Sequence, residues 1–310
     1  MKEIKNNAVK GELILLLVAV LWGSCFIFQK KGMDYIGPYT LGAFRFIIGG
    51  LVLLPVIIAF SKSNKKIMDA ETVKYKRDTL WKGGILCGVT LFIAASLQQI
   101  GLVYTTAGKA AFLTSMEIVL VEIIGIMIAK RLYLNSVLGV TLAMAGMYLL
   151  CIRTGFSMQF GDTLELIGAL FWGIQILLVD KYAKLADSIK LSFIQFIVAG
   201  CLSVVCMILF EKPDITNIYA CSIPILYTAI IEVAICYTLQ IIGQKFVSPV
   251  IAAVILSLES VFAAIFGAII LSEILTVREI SGMIIMLIAV IIIKIPIDKI
   301  KGFSNFTQDQ

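Results

Sequence analysis

Histidine is missing altogether from these 310 residues. That removes imidazole-ligated zinc, histidine-based triads and imidazole proton relays from consideration. Charge is scarce as well. Charged residues make up 15% of the chain against 60% hydrophobic, with a mean hydropathy of +1.01, which excludes an ordinary soluble domain. Seven cysteines (Cys25, Cys87, Cys151, Cys201, Cys206, Cys221 and Cys236) are scattered through apolar segments without a CxxC pair. They read as small apolar fillers, so neither a disulfide framework nor a metal site is implied. No phosphate loop or nucleophile–base arrangement stands out, and Gly49-Gly50 and Gly83-Gly84 are isolated pairs inside apolar runs. An enzyme is therefore not expected, and no cofactor is implied.

What is present is apolar sequence in long continuous runs. Crossing about 30 Å of hydrocarbon takes about 20 helical residues. Ten segments qualify, at about 12–30, 39–60, 81–103, 108–129, 134–152, 162–180, 190–210, 219–242, 249–272 and 277–296. Continuous runs of this length predict helices, not the short alternating strands of a barrel. Breakers separate them at Gly37-Pro38, Lys212-Pro213 and Ser248-Pro249, and the longest polar loop is expected over 61–79. The basic start followed by an apolar run resembles a signal peptide. The run continues through Trp22 to Phe28 without a convincing small-residue cleavage site, so it is expected to remain as the first span.

Ten spans place both termini on one side. Nineteen of the 26 Lys and Arg residues fall on that side and six on the other, with Arg45 inside the second span. By the positive-inside rule both termini are expected in the cytoplasm, and the net charge of +6 is a topology signal rather than a nucleic-acid footprint.

The chain also repeats itself. Leu97-Gln98 and Gly101 return 142 residues later as Leu239-Gln240 and Gly243; Ser115, Glu117 and Val119 return as Ser257, Glu259 and Val261. At an offset of 150, Ala19, Trp22-Gly23 and Lys31 return as Ala169, Trp172-Gly173 and Lys181. The expected organisation is an all-α integral membrane protein of ten transmembrane helices in two five-helix repeats. These span 11–155 and 160–297, followed by a short cytoplasmic tail, 298–310. Because five is odd, the halves must be inverted relative to each other. Pairs such as Gly139/Ala143 and Ala263/Gly267 suit close helix packing.

An ionisable side chain at the centre of a span costs about 2.5–3.5 kcal/mol on insertion, so it is expected to face the bundle interior or a wet cavity. Arg45, Glu117, Glu122, Glu232 and Glu259 stand near span centres. Glu117 and Glu259 are the sharpest pair, because the repeat sets them at equivalent depth. They are candidates to hold a cationic or amino group of a substrate, or to take up a proton; the alternative is that one or both pair with Arg45 or hydrogen-bond another helix and only hold the bundle. Glu122 points about 140° away from Glu117, so both cannot line one narrow site. Glu232, Cys236 and Gln240 share one helical face, with Gln98 and Gln99 on the counterpart helix and Tyr237 beside the stripe, which suggests a substrate pathway lining, the alternative being interhelical hydrogen bonds. Trp22 and Trp172 lie about ten residues inside their spans, too deep for interface anchors, with Gln29 and Gln175 on the same faces. Trp81 opens its span as such an anchor would.

At these residues the chain resembles the drug/metabolite transporter superfamily, specifically its EamA type with ten helices. The resemblance is carried by Leu21-Trp22-Gly23-Ser24, Phe44-Arg45-Phe46, Leu97-Gln98-Gln99-Ile100-Gly101-Leu102, Ala252-Ala253, Ser257-Leu258-Glu259 and Ser272-Glu273, and covers about residues 11–297. Ser260 stands where the family usually has Pro, and Lys130-Arg131 where it often has an Arg-Glu pair. The resemblance implies a cytoplasmic-membrane carrier with a central cavity between inverted repeats, commonly exporting amino acids, related metabolites or drugs. The expected partners are a small-molecule substrate and the bilayer, with possible proton coupling and no nucleic acid. The alternatives in other classes are a channel or facilitative pore, and, further off, a membrane-embedded sensor or enzyme.

Overall fold

A computed structural model describes residues 2–61, 70–105, 107–129, 133–152, 158–270 and 274–295. Lys130-Arg131, Arg153, Ser272-Glu273 and the 298–310 tail lie outside the described residues. Among those described, every regular element is helical. Ten helical units follow one another: α1 (Lys2–Met33), α2 (Pro38–Ser61), α3 (Ala70–Tyr104), α4 in two pieces (α4a, Ala107–Thr114; α4b, Glu117–Ala129), α5 (Leu134–Cys151), α6 (Phe160–Ala183) and α7 (Ser188–Phe210). A short helix, Ile215–Ala220, leads into α8, whose pieces are Ser222–Tyr227, Thr228–Tyr237 and Thr238–Gln244. Then come α9 (α9a, Pro249–Leu256; α9b, Glu259–Ile270) and α10 (Val277–Ile292).

Helix starts follow local chemistry. The Asp187 carboxylate caps α7, accepting from the backbone N–H groups of Ile189 and Lys190 at 3.1 and 3.0 Å. Ser248 caps α9a ahead of Pro249, whose missing N–H is no loss in a first turn. Thr276 and Glu279 form a capping box on α10.

Three elements depart from the sequence expectation. The polar loop expected over 61–79 is already helical from Ala70, because its Glu, Lys and Arg residues are good helix formers in water. At 35 residues, or about 52 Å, α3 outruns the hydrocarbon. Nine helices among the described residues are long and apolar enough to cross a membrane, while α10 has 16 residues. The middle of α8, Thr228–Tyr237, is a π-helix, which hydropathy does not reveal.

Helix pairings come in equivalents. As α3 packs on α6, so α8 packs on α1; as α4 packs on α6, so α9 packs on α1; and α2–α7 and α5–α10 join matching helices. That is the pattern a pseudo-twofold axis between two repeats produces. Large apolar side chains such as Ile208, Phe210, Met127 and Ile269 stand exposed on the outer faces, where lipid tails would meet them. The interior holds Leu15, Phe46, Leu91 and Phe196. It also holds a minority of buried polar groups, among them Arg45, Gln98, Glu165, Glu232 and Gln240.

Candidate substrate cavity between the repeats

Helices α4 and α9 both change course at the same repeat position. Ser115 Oγ donates back to the Ala111 carbonyl at 2.8 Å, and Ser257 Oγ to the Val254 carbonyl at 2.9 Å. Such back-bonding bends helices. The backbone tightens in step, with Met116 N–H on Leu113 O and Leu258 N–H on Ile255 O, both i→i+3 bonds. The bend in α9 therefore forms although Ser260, not Pro, follows Glu259. Each bend starts a new helix segment at a glutamate, Glu117 in α4b and Glu259 in α9b.

These bends meet around a central cavity with an empty volume of about 560 Å³, its open mouth included. Three helices of each half supply its wall: α1, α3 and α4 from the first, α6, α8 and α9 from the second. Three matched pairs face it, Trp22/Trp172, Gln98/Gln240 and Glu117/Glu259, together with Glu232 and Tyr237. Neither Glu117 nor Glu259 meets a cation or a hydrogen-bond donor among the described residues. Tyr237 is clasped between the matched tryptophans. Its ring is 5.1 Å from Trp22 in an edge-on arrangement and 6.3 Å from Trp172, nearly parallel at 9°. Both indole Nε1 groups are buried without an acceptor, so the aromatic wall has two donors to spare.

Arg45 does not reach Glu117 or Glu259. Its Nη1 pairs with Glu232 Oε1 at 2.9 Å, and the two side chains are 3% and 2% exposed. Gln99 and Gln175 stand outside the wall. Gln175 is spent inside the bundle, where its Oε1 accepts from Thr90 Oγ1 at 2.7 Å and its Nε2 donates to Gln195 at 3.1 Å. Cys236 is turned into the apolar contact with Leu15 and Val18 of α1, while Tyr237 takes the cavity side. The π-helix accounts for that, because its wider turn breaks the i, i+4 stripe of an α-helix. Glu122 points elsewhere and accepts from Ser136 Oγ at 2.5 Å.

The wall also holds Phe26 and Ile176, each four residues after a matched tryptophan, and Gln29 a further turn along α1. Helical spacing from Trp22 and Trp172 would have found Phe26 and Ile176, as it found Gln29. Thr114 and Leu256 are lining residues at one repeat position but of different types, so a search for identical pairs passes over them. Asp162 and Glu165, both fully buried in α6, were also not singled out by span-centre counting, because they lie near a helix start.

With this geometry in place, the comparisons with known proteins fall into line. The EamA-like transporter family matches twice, over residues 9–152 and 159–295. An uncharacterized transporter of Archaeoglobus fulgidus is 34% identical over 290 residues, covering 92% of this chain and 86% of that protein. One of Methanothermobacter thermautotrophicus is 25% identical over 301 residues, covering 91% and 85%. A solved crystal structure 17% identical in sequence superposes with a TM-score of 0.74, over 92% of this chain and 96% of that one, and so shares the fold. The chain belongs to the EamA-like transporter family and is a multi-pass membrane transporter.

Proposed function

We infer that the protein is a secondary transporter of small metabolites, amino acids or related amphipathic compounds, and that it moves them outward across the cell membrane by alternating access. One observation carries the reading: repeat-matched polar and aromatic residues from both halves converge on a single central cavity. Two five-helix halves, 11–155 and 160–297, rock about that cavity so that it opens to one side at a time. The cavity is chemically two-faced. Glu117 and Glu259 suit an ammonium group or a proton, while Trp22, Tyr237 and Trp172 suit an apolar or flat body. Basic residues crowd the side that holds both termini, which supports a cytoplasmic location for them.

The test is counterflow in proteoliposomes with labelled L-phenylalanine, L-threonine and benzylamine as probes. Saturable counterflow of at least one is expected, with a fall of tenfold or more in Glu259→Gln while the variant keeps its melting temperature. Flux that neither saturates nor shows counterflow would replace the carrier by a channel. Unchanged flux in Glu259→Gln would remove that carboxylate from the site.

A further inference from the structure

Where α8 meets α1, the contact is apolar. Gly243 lies so close to Leu15 that a Cβ on the glycine would stand 2.9 Å from Leu15 Cδ2, and Leu15 shares a buried cluster with Leu256. The equivalent contact, α3 on α6, keeps the glycine as Gly101 but carries Glu165 in place of Leu15 and Thr114 in place of Leu256. A Cβ on Gly101 would stand 2.5 Å from Glu165 Oε1. The molecule thus contains its own control. Two leucines suffice to pack this helix crossing, so a threonine and a buried carboxyl are not needed for packing.

The polar version carries a cost that the leucines avoid. Glu165 is 0% exposed. Its Oε2 accepts from Thr114 Oγ1 at 2.8 Å, while Oε1 finds no donor among the described residues. A buried carboxylate held by one hydrogen bond is expensive, and a proton on the open oxygen removes the charge. Thr114 lines the central cavity, so Glu165 is one hydrogen bond away from it. One turn nearer the start of α6 lies Asp162, also fully buried. It accepts from Thr105 Oγ1 at 2.6 Å and from the Gln159 backbone N–H at 2.6 Å, and it pairs with Lys109. The Lys109 side chain is 15% exposed. The charged groups around Glu165 are therefore Asp162 on its own helix and Lys109 on α4a; α3 presents Gly101 and the neighbouring Thr105.

We propose that Glu165 is a proton-binding site separate from the cavity carboxylates. Thr114 links it to the cavity by a hydrogen bond, and the Asp162–Lys109 pair lies one turn further towards the start of α6. Oε1 takes a proton from water to become a neutral carboxylic acid, and gives it back to water as the carboxylate. This site deepens the proton coupling within the transporter reading and rests on it, but it is measured without any substrate. Infrared difference spectra of the purified, reconstituted protein between alkaline and acidic buffer report protonated carboxyl groups directly. Wild type is expected to show a buried carboxyl component that disappears in Glu165→Gln and in the double variant Glu165→Leu/Thr114→Leu. The same component should persist in Glu117→Gln/Glu259→Gln. The double variant copies the twin contact and is expected to melt at or above the wild-type temperature. An unchanged carboxyl spectrum in Glu165→Gln overturns the proposal. So does failure of both Glu165 variants to fold, since the side chains would then be holding the crossing together. Failed counterflow with an intact Glu165 component would count against the transporter reading alone.

Discussion

Replacing Arg45 with Met leaves Glu232 as a carboxylate without its cation; replacing Glu232 with Met leaves Arg45 as a buried guanidinium without its anion. The pair is 2.9 Å apart with both side chains at most 3% exposed. Breaking such a pair from one side costs about 3–5 kcal/mol, because the surviving charge stays desolvated. The two single variants should not cost the same. Glu232 lines the central cavity and Arg45 does not, so water can relieve an orphaned Glu232 but not an orphaned Arg45. Arg45→Met is expected near the low end, about 3 kcal/mol, and Glu232→Met near the high end, about 5 kcal/mol. With both charges gone the penalty for an orphan vanishes, and the double variant should cost less than Glu232→Met alone. Unfolding in mixed micelles, followed by tryptophan fluorescence, would measure all three. Single-variant costs that simply add in the double, or an Arg45 variant less stable than the Glu232 variant, would refute the reasoning.

Two other contacts make testable demands. On Gly146 of α5 a Cβ would stand 2.7 Å from the Gly282 carbonyl of α10, whereas on Gly168 the nearest atom is Leu97 Cβ at 3.5 Å. Gly146→Ala is therefore expected to cost about 1–3 kcal/mol in overpacking and to lower the melting temperature, and Gly168→Ala to leave it unchanged or raise it. Glu211, just beyond α7, accepts from the Tyr39 and Thr40 backbone N–H groups at 2.8 and 2.7 Å and from Thr40 Oγ1 at 2.6 Å. It thereby caps the start of α2 from the chain just past the end of α7 at Phe210. Glu211→Ala should cost about 1–2 kcal/mol, and hydrogen exchange at Tyr39 and Thr40 should accelerate while that of mid-α2 amides does not.

The repeat made much of the cavity legible. Trp22/Trp172, Gln98/Gln240 and Glu117/Glu259 are identical residues at constant offsets, and a membrane helix facing lipid has no use for them. The partners of polar residues were not legible. The repeat sets Gln240 apart, since it matches Gln98 while Gln175 matches Cys25, but nothing in linear spacing shows that Gln175 is consumed by Thr90 and Gln195. Arg45 was an ion-pair candidate by depth alone, and the choice of Glu232 over Glu117 or Glu259 depended on which helix lies next to α2. The π-helix of α8 was invisible because its residues are as apolar as those of an α-helix. Its extra width alters which side chains share a face, and so it put Tyr237 on the cavity side and Cys236 in the core.

Composition and periodicity, then, determined the class of molecule on their own. An apolar run long enough to span a bilayer has to be helical, since no water is there to satisfy its backbone, and the count of basic residues supplies an expected orientation. Duplication determined where matched chemistry would meet. Only the tertiary structure decided which carboxylates stay without partners, which amides are spent on neighbouring helices, and where Glu165 breaks the symmetry with Leu15. Those outcomes depend on contacts between residues distant in the chain, such as Arg45 with Glu232 and Thr114 with Glu165, and in a low-dielectric interior each such contact is worth enough to redirect a side chain.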